Sequence, residues 1–319
     1  MLVSFLAKSV QVRIRRRVRG PRRPTWTPRM EALVELLQED LGRLEHLSFA
    51  EIRARGEVTL MRSNAVDRVR IERVEGAVCG EWVVPRQGAT ERVVHYLHGG
   101  GYCVGSPKSH RDLLSRIALG AGARVFALDY RLAPEHRFPA PIEDAVAAHR
   151  WLLDGGVSPS KLVIGGDSAG GGLTLGTLLT LRDAHLPLPA GAVLLSPWLD
   201  LEGARESLFR SSGLDWIDVG FLHRCARDYL GGADPKDPRA SPVHADLQGL
   251  PPMLLQVGTV ELLFDEALTF AERARAAGVA LELDVWEDMI HVFQLFAQLL
   301  PQGGAAIEKI CAFIRATAP

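Results

Sequence analysis

The sequence predicts an α/β protein, a mostly parallel, doubly wound sheet carrying a helical cap. Three observations carry this expectation. From residue 93 onward, short apolar runs of strand length alternate with stretches of helical spacing, the pattern of a sheet wound by crossover helices. One of those runs, residues 161–164, leads through Gly166-Asp167-Ser168-Ala169-Gly170 into a small-residue and leucine segment over 171–181, which reads as strand, sharp turn and helix. The alternation is interrupted once, between residues 201 and 250, by an aromatic stretch and a Gly/Pro/Asp-rich return that read as an inserted lid.

Taken in order, the chain opens with an apolar run over residues 1–7 whose basic residues follow it rather than precede it, the wrong order for a secretory leader. The arginine-rich stretch over 13–23 reads as a solvated helix face in preference to a lipid contact. Pro21, Pro24 and Pro28 then punctuate the chain before a helix over 29–43, spaced by Met30, Leu33, Leu36, Leu37 and Leu41. Residues 1–60 are expected as an N-terminal helical segment and 61–319 as the core, with 201–250 inserted. Runs at 69–74 and 79–84, separated at Gly76, predict an antiparallel start to the sheet. Parallel strands follow at 93–97, 124–128, 161–164, 192–195, 253–257 and 281–286.

Composition narrows the partners. Near-neutral net charge (−1) gives no global attraction to nucleic acid, and no stretch reaches the ~20 apolar residues needed to span a bilayer, so stable membrane insertion is not expected. Cys79, Cys103, Cys225 and Cys311 lie far apart, which argues against a zinc ribbon or disulfide framework and for a reducing, cytoplasmic setting. His95 and His98 fall on opposite faces of a strand, so no metal and no cofactor are expected.

The chemistry lies in two glycine-rich loops. A serine nucleophile must project from a strained turn, and Gly166 and Gly170 keep bulk away from the positions two before and two after Ser168. The helix after Ser168 turns unpaired amides toward developing negative charge, which makes Ala169 N–H an oxyanion donor. The strand at 93–97 delivers His98-Gly99-Gly100-Gly101-Tyr102, where two of the amides of Gly99, Gly100 and Gly101, the later two preferred, are expected to bind the oxyanion. His98 anchors this loop, and Asp167 is expected as a second support. A phosphate-cradling loop fits poorly, because no Gly-Lys-Ser/Thr follows and the Gly-x-Gly-x-x-Gly register fails at Val104.

A serine hydroxyl needs a histidine base and an acid to orient it, in the order serine, acid, histidine. His291, just past the strand at 281–286, is the only histidine in the last part of the chain; His185, His223 and His244 fall in loops or the insertion. After the strand at 253–257 come Glu261, Asp265 and Glu266. Glu261 lies soonest after the strand end, whereas Asp265 and Glu266 open the next helix, so Glu261 is the expected acid, with Asp265 and then Asp288 as alternatives.

These blocks, together with Asp129-Tyr130-Arg131-Leu132-Ala133-Pro134-Glu135-His136 and Ser196-Pro197-Trp198-Leu199-Asp200, resemble the hormone-sensitive-lipase family of α/β-hydrolase carboxylesterases, the bacterial type IV esterases. The resemblance spans most of residues 90–300. That family's usual Asp-Pro-Leu-x-Asp-Glu stands here as Glu261-Leu262-Leu263-Phe264-Asp265-Glu266, which places Glu261 at the catalytic position. The resemblance implies a serine carboxylesterase acting on a small-molecule ester of short to medium acyl chain through an acyl-enzyme, and a homodimer as its assembly. It makes the Asp129 block a brace under the oxyanion loop, with Arg131 and Glu135 able to pair. It also assigns the N-terminal helices and the insertion to a cap over an acyl pocket, for which Tyr102, Trp26, Trp216, Phe221 and Leu222 are candidate linings. An amidase or peptidase on the same triad and a non-catalytic receptor on the same fold are the rivals; the receptor reading is opposed by the presence of His291.

Overall fold

The computed structural model describes residues 2–55, 64–203, 211 and 213–319, with side chains from residue 5 onward. Its eight strands are β1 (Val69–Val74), β2 (Gly80–Pro85), β3 (Val93–Leu97), β4 (Arg124–Leu128), β5 (Leu162–Asp167), β6 (Gly191–Leu195), β7 (Met253–Gly258) and β8 (Leu281–Trp286). They form one sheet in the order β1-β2-β4-β3-β5-β6-β7-β8. The β1–β2 and β2–β4 pairs are antiparallel and the remaining pairs parallel. The mostly apolar or small character of β3, β5, β6 and β7, broken only by His95, Tyr96, Asp167 and Gln256, follows from burial on both faces.

The described helices are α1 (Leu2–Arg19), α2 (Pro28–Gly42), α3 (Phe49–Ala54), α4 (Asn64–Asp67), α5 (Arg111–Ala121), α6 (Ala140–Asp154), α7 (Ala169–Asp183), α8 (Val219–Leu230), α9 (Phe264–Ala276) and α10 (Pro301–Thr317). On one face of the sheet Leu113, Leu114 and Ile117 of α5 and Ile307, Ile310 and Ile314 of α10 pack on Val94, Val125 and Val163. On the other face α6, α7 and α9 contribute Ile142, Leu175, Leu178 and Phe270 to a cluster with Leu97, Phe126, Ile164 and Leu255. Residues 1–60 and 201–250 lie partly outside the described residues, at 1, 56–63, 204–210 and 212.

The sheet order itself selects a place for chemistry. The chain crosses from β3 to β4 on one side and then to β5 on the other, so the C-terminal ends of β3 and β5 diverge into a crevice at a topological switch point. In that register Leu97 stands opposite Gly166, which sets the loop after β3 beside the turn after β5.

Part of the N-terminal arginine cluster departs from the expected solvated face, while Arg13, Arg17 and Arg19 remain exposed. Arg15 reaches Glu31 at 3.1 Å and Glu35 at 2.5 Å, and Arg16 reaches Glu31 at 3.2 Å and donates to the Trp26 carbonyl at 2.7 Å. These contacts tie α1 to α2, whose start is fixed by Pro28 and by the Thr27 hydroxyl accepting from Met30 N–H. Arg23 continues the series to Asp288, donating from Nε at 2.7 Å. A second correction concerns the pairing inside the Asp129 block. Arg131 turns to Asp144 at 2.8 Å and Glu143 at 3.2 Å on α6, while Glu135 turns away to Arg53 of α3 at 2.5 Å. The two side chains are four residues apart, but the segment is not helical, so the spacing does not bring them to one face.

Candidate active site

Ser168 sits between the last residue of β5 and the first of α7, with φ 53° and ψ −123°. That conformation is strained for a residue with a side chain and lifts the hydroxyl off the strand. Its neighbours have to be small for a visible reason. A β-carbon on Gly170 would collide with the carbonyl oxygen of Leu97, and one on Gly166 with the carbonyls of Leu97 and Gly170. The turn is pinned to the sheet by Ser168 N–H donating to Leu195 and by Trp198 N–H donating to Ser168, both at 2.9 Å.

The glycine loop after β3 is held from below by Asp167. This buried carboxylate accepts Gly99 N–H at 3.1 Å and the Tyr96 hydroxyl at 2.8 Å, and lies 3.2 Å from His110 Nε2. Burial works against its charge, but the His110 imidazole and the Tyr96 hydroxyl hold its pKa below the ordinary value. Gly99 N–H is thereby spent on Asp167. The amides of Gly100 and Gly101 have no acceptor among the described residues, and the Ala169 amide opens α7. Gly100 at φ 124° and Gly101 at φ 61° hold conformations that suit glycine.

His98 stacks on Tyr130 with ring centroids 4.2 Å apart, and its Nδ1–H donates to the Gly99 carbonyl at 2.8 Å. Burial pushes its pKa down to about 3, so the ring is neutral and braces the loop. Tyr130 completes the brace by donating its hydroxyl to the His98 carbonyl at 2.7 Å.

His291 and Glu261 come together from the loops after β8 and β7. Nδ1 of His291 lies 3.2 Å from Glu261 Oε2, with both side chains buried. The other glutamate oxygen accepts Gly258 N–H at 2.6 Å and the Ser196 hydroxyl at 2.8 Å. The alternatives are engaged elsewhere. Asp288 binds Arg23 and Thr25, and Glu266 accepts Leu199 N–H at 2.6 Å from the start of α9. Asp265 sits in the first turn of the same helix, where a carboxylate serves the helix dipole. Burial opposes protonation of His291, yet the Glu261 hydrogen bond and the charges of Glu261 and Asp215 outweigh it and raise its pKa. Among the described residues no hydrogen bond joins Ser168 Oγ to His291.

Two residues of the site were not anticipated. Ser196, at φ 44°, gives its hydroxyl to Glu261 and accepts Val292 N–H at 3.1 Å, linking the acid's loop to the histidine's. Asp215, in the segment between β6 and β7, accepts His291 N–H at 3.0 Å and Leu262 N–H at 3.1 Å. Desolvation first, then the nearby Glu261 charge, pushes Asp215 up to about 6 against the lowering pull of His291. The Ser-Pro-Trp-Leu-Asp block was a sequence signal for Ser196; Asp215 carried none.

The five candidate lining residues divide. Trp216 lies beside the histidine, its ring 6.0 Å from that of His291 and its Nε1–H donated to the His291 carbonyl at 2.8 Å. Phe221 of α8 stands near Gly101 and packs edge-on to Phe49. The other three occupy packed positions. Tyr102 stacks on Tyr229 with centroids 3.8 Å apart, Leu222 is buried in the same cluster, and Trp26 donates to the Asp288 carbonyl at 2.7 Å from a second cluster with Met30 and Phe293. Large side chains at helical or loop positions found a core to bury in before they found an opening.

For metal ligation, Asp200, Glu202 and His244 bring ligand atoms within 4.8 Å of one another, but Glu202 already pairs with Lys236 at 3.2 Å.

A family model for the alpha/beta hydrolase fold matches residues 94–295. The chain is 48% identical over 243 residues to an acetyl-hydrolase of Streptomyces hygroscopicus, covering 75% of this chain and 80% of that one. It is 35% identical over 256 residues to an esterase of Acinetobacter venetianus, covering 80% and 84%. Among solved structures, an esterase from the bacterial hormone-sensitive lipase family superposes with a TM-score of 0.80 at 44% identity, covering 99% of this chain and 98% of that one. A hormone-sensitive lipase from a metagenome library gives a TM-score of 0.84 at 38% identity, covering 91% and 98%. With the strained serine, the glycine loop and the histidine–glutamate pair now placed on that fold, the chain belongs to the hormone-sensitive-lipase family of α/β-hydrolase carboxylesterases.

Proposed function

We propose that this carboxylesterase works through Ser168, His291 and Glu261 on short- to medium-chain esters. The observation that carries the assignment is the His291–Glu261 contact: with Nδ1–H given to the carboxylate, Nε2 is left as the acceptor for a serine proton. Ser168 Oγ attacks the ester carbonyl as its proton passes to His291 Nε2. The oxyanion is received by the amides of Gly100, Gly101 and Ala169, and the imidazolium is stabilised by Glu261. Collapse expels the alcohol, which takes the proton from His291, and leaves an acyl group on Ser168. Water, deprotonated by His291, then attacks the acyl carbonyl and releases the acid and free serine.

Residues 1–60 and 201–250 serve as the cap in this reading. Support comes from Arg224 of α8 donating to the Glu45 and Leu47 carbonyls, and from Gln38 of α2 donating to Asp215. A cap stitched together in this way suits short acyl groups, and faster hydrolysis of long-chain than of butyrate-length p-nitrophenyl esters refutes that preference. All four cysteines are free, Cys103 and Cys225 included although they are neighbours, which supports a cytoplasmic setting.

The deciding experiment is fluorophosphonate labelling of the wild type and of Ser168→Ala. Label confined to Ser168, with turnover lowered about four to six orders of magnitude in the variant, is the expected result. Near-normal turnover of purified Ser168→Ala sinks the assignment.

A further inference from the structure

We propose that the outer face of α1 adsorbs reversibly to the surface of an anionic phospholipid bilayer. Helix α1 has two apolar faces. Phe5 and Val12 turn inward and are buried against Trp26, Met30 and Leu33. Leu6, Val10, Ile14 and Val18, spaced four apart along the opposite side, are 56%, 55%, 60% and 85% exposed. Among the described residues the only other large hydrophobic side chain so exposed is Val285, so nearly all of this kind of surface is gathered into one line.

Charge identifies what covers it. The helix Leu2–Arg19 contains no acidic residue, and its arginines divide by direction. Arg15 and Arg16, toward α2, are held by Glu31 and Glu35. Arg13 and Arg17, one residue before Ile14 and Val18, are exposed and have no acidic partner among the described residues. A second copy seated on this face would bring like charges together. An anionic leaflet offers phosphates to Arg13 and Arg17 and an apolar boundary to the line beside them, the arrangement of a helix lying in the membrane interface. No helix of the described residues is long and apolar enough to cross a membrane, so the contact is peripheral.

The test is cosedimentation of the full chain with vesicles of phosphatidylcholine alone or mixed with phosphatidylglycerol. Wild type is expected to pellet with the anionic vesicles only, and to be released by high salt. Arg13→Gln/Arg17→Gln lowers the partition coefficient roughly 30-fold, and Val10→Glu/Ile14→Glu leaves the protein in the supernatant. Both variants hydrolyse a water-soluble ester at the wild-type rate, which shows that they are folded. The proposal is overturned if wild type stays in the supernatant with anionic vesicles, or if Val10→Glu/Ile14→Glu pellets as wild type does. It is also overturned if wild type ignores vesicles but sediments as a dimer that this variant dissociates, because a second copy then covers the face.

Discussion

Asp215 accepts the backbone N–H of His291 at 3.0 Å across 76 positions of sequence, so a carboxylate from the segment between β6 and β7 holds the loop that carries His291. Its other oxygen accepts the amide of Leu262, next to Glu261. Asparagine in its place keeps one acceptor and turns an NH2 group toward the second amide. Asp215→Asn is expected to lower kcat/KM up to about a hundredfold through loss of position. It also removes a negative charge that, with Glu261, supports protonated His291. His291 must be neutral to take the serine proton, so activity falls as pH drops through its raised pKa. In the variant that acid limb moves to lower pH. A kcat/KM profile with an unmoved limb leaves Asp215 as a packing residue only.

Glu261→Gln is expected to lower kcat about ten-thousandfold, because the amide no longer fixes the imidazole tautomer or stabilises the imidazolium. Asp265→Asn, in the first turn of α9, is expected to change kcat less than about tenfold. Equal losses in steady-state turnover of the two variants contradict the assignment.

What could be read in advance, and what could not, follows from the range of the forces involved. The central parallel strands were legible because burial on both faces demands mostly apolar runs, and Glu261 because loops after strands β7 and β8 must converge on one edge of the sheet. Asp215 was not, since its partners lie 47 and 76 positions away and nothing local marks it, and the block that holds Ser196 did not show that its partners lie 65 and 96 positions on. The packing partners of Trp26 and Tyr102 were not legible for the complementary reason: an aromatic side chain announces burial but not where. The arginines of α1 looked alike in sequence, and only the position of Glu31 and Glu35 on α2 separates the paired from the exposed.

Ser196→Ala tests the link between the two loops. The substitution takes a hydroxyl donor from buried Glu261 and an acceptor from the Val292 amide. It is expected to cost about 1–3 kcal/mol of stability in urea unfolding. Because Glu261 retains Gly258 N–H, kcat should fall about ten- to a hundredfold, less than for Glu261→Gln. A kcat loss matching that of Glu261→Gln contradicts this ordering.

His95 gives the acid stability of the fold a specific cause. Its ring packs 6.2 Å from Phe126 and 6.5 Å from His149, and neither ring nitrogen has a hydrogen-bond partner among the described residues. Burial pushes its pKa down to about 3 from the ordinary 6.5. Below about pH 6.5 the unfolded chain takes a proton that the folded imidazole refuses until about pH 3, so stability falls with pH across that window, by about 1.4 kcal/mol per pH unit for this residue. Asp215 acts in the opposite sense, since its folded pKa is raised to about 6: its contribution is present at low pH and lost as pH rises through that value. Comparing His95→Phe with wild type cancels the Asp215 contribution, which both share. The variant is expected to show a shallower loss of unfolding free energy between about pH 6.5 and 4. Identical slopes in urea titrations across that range rule out His95 as a source of acid lability.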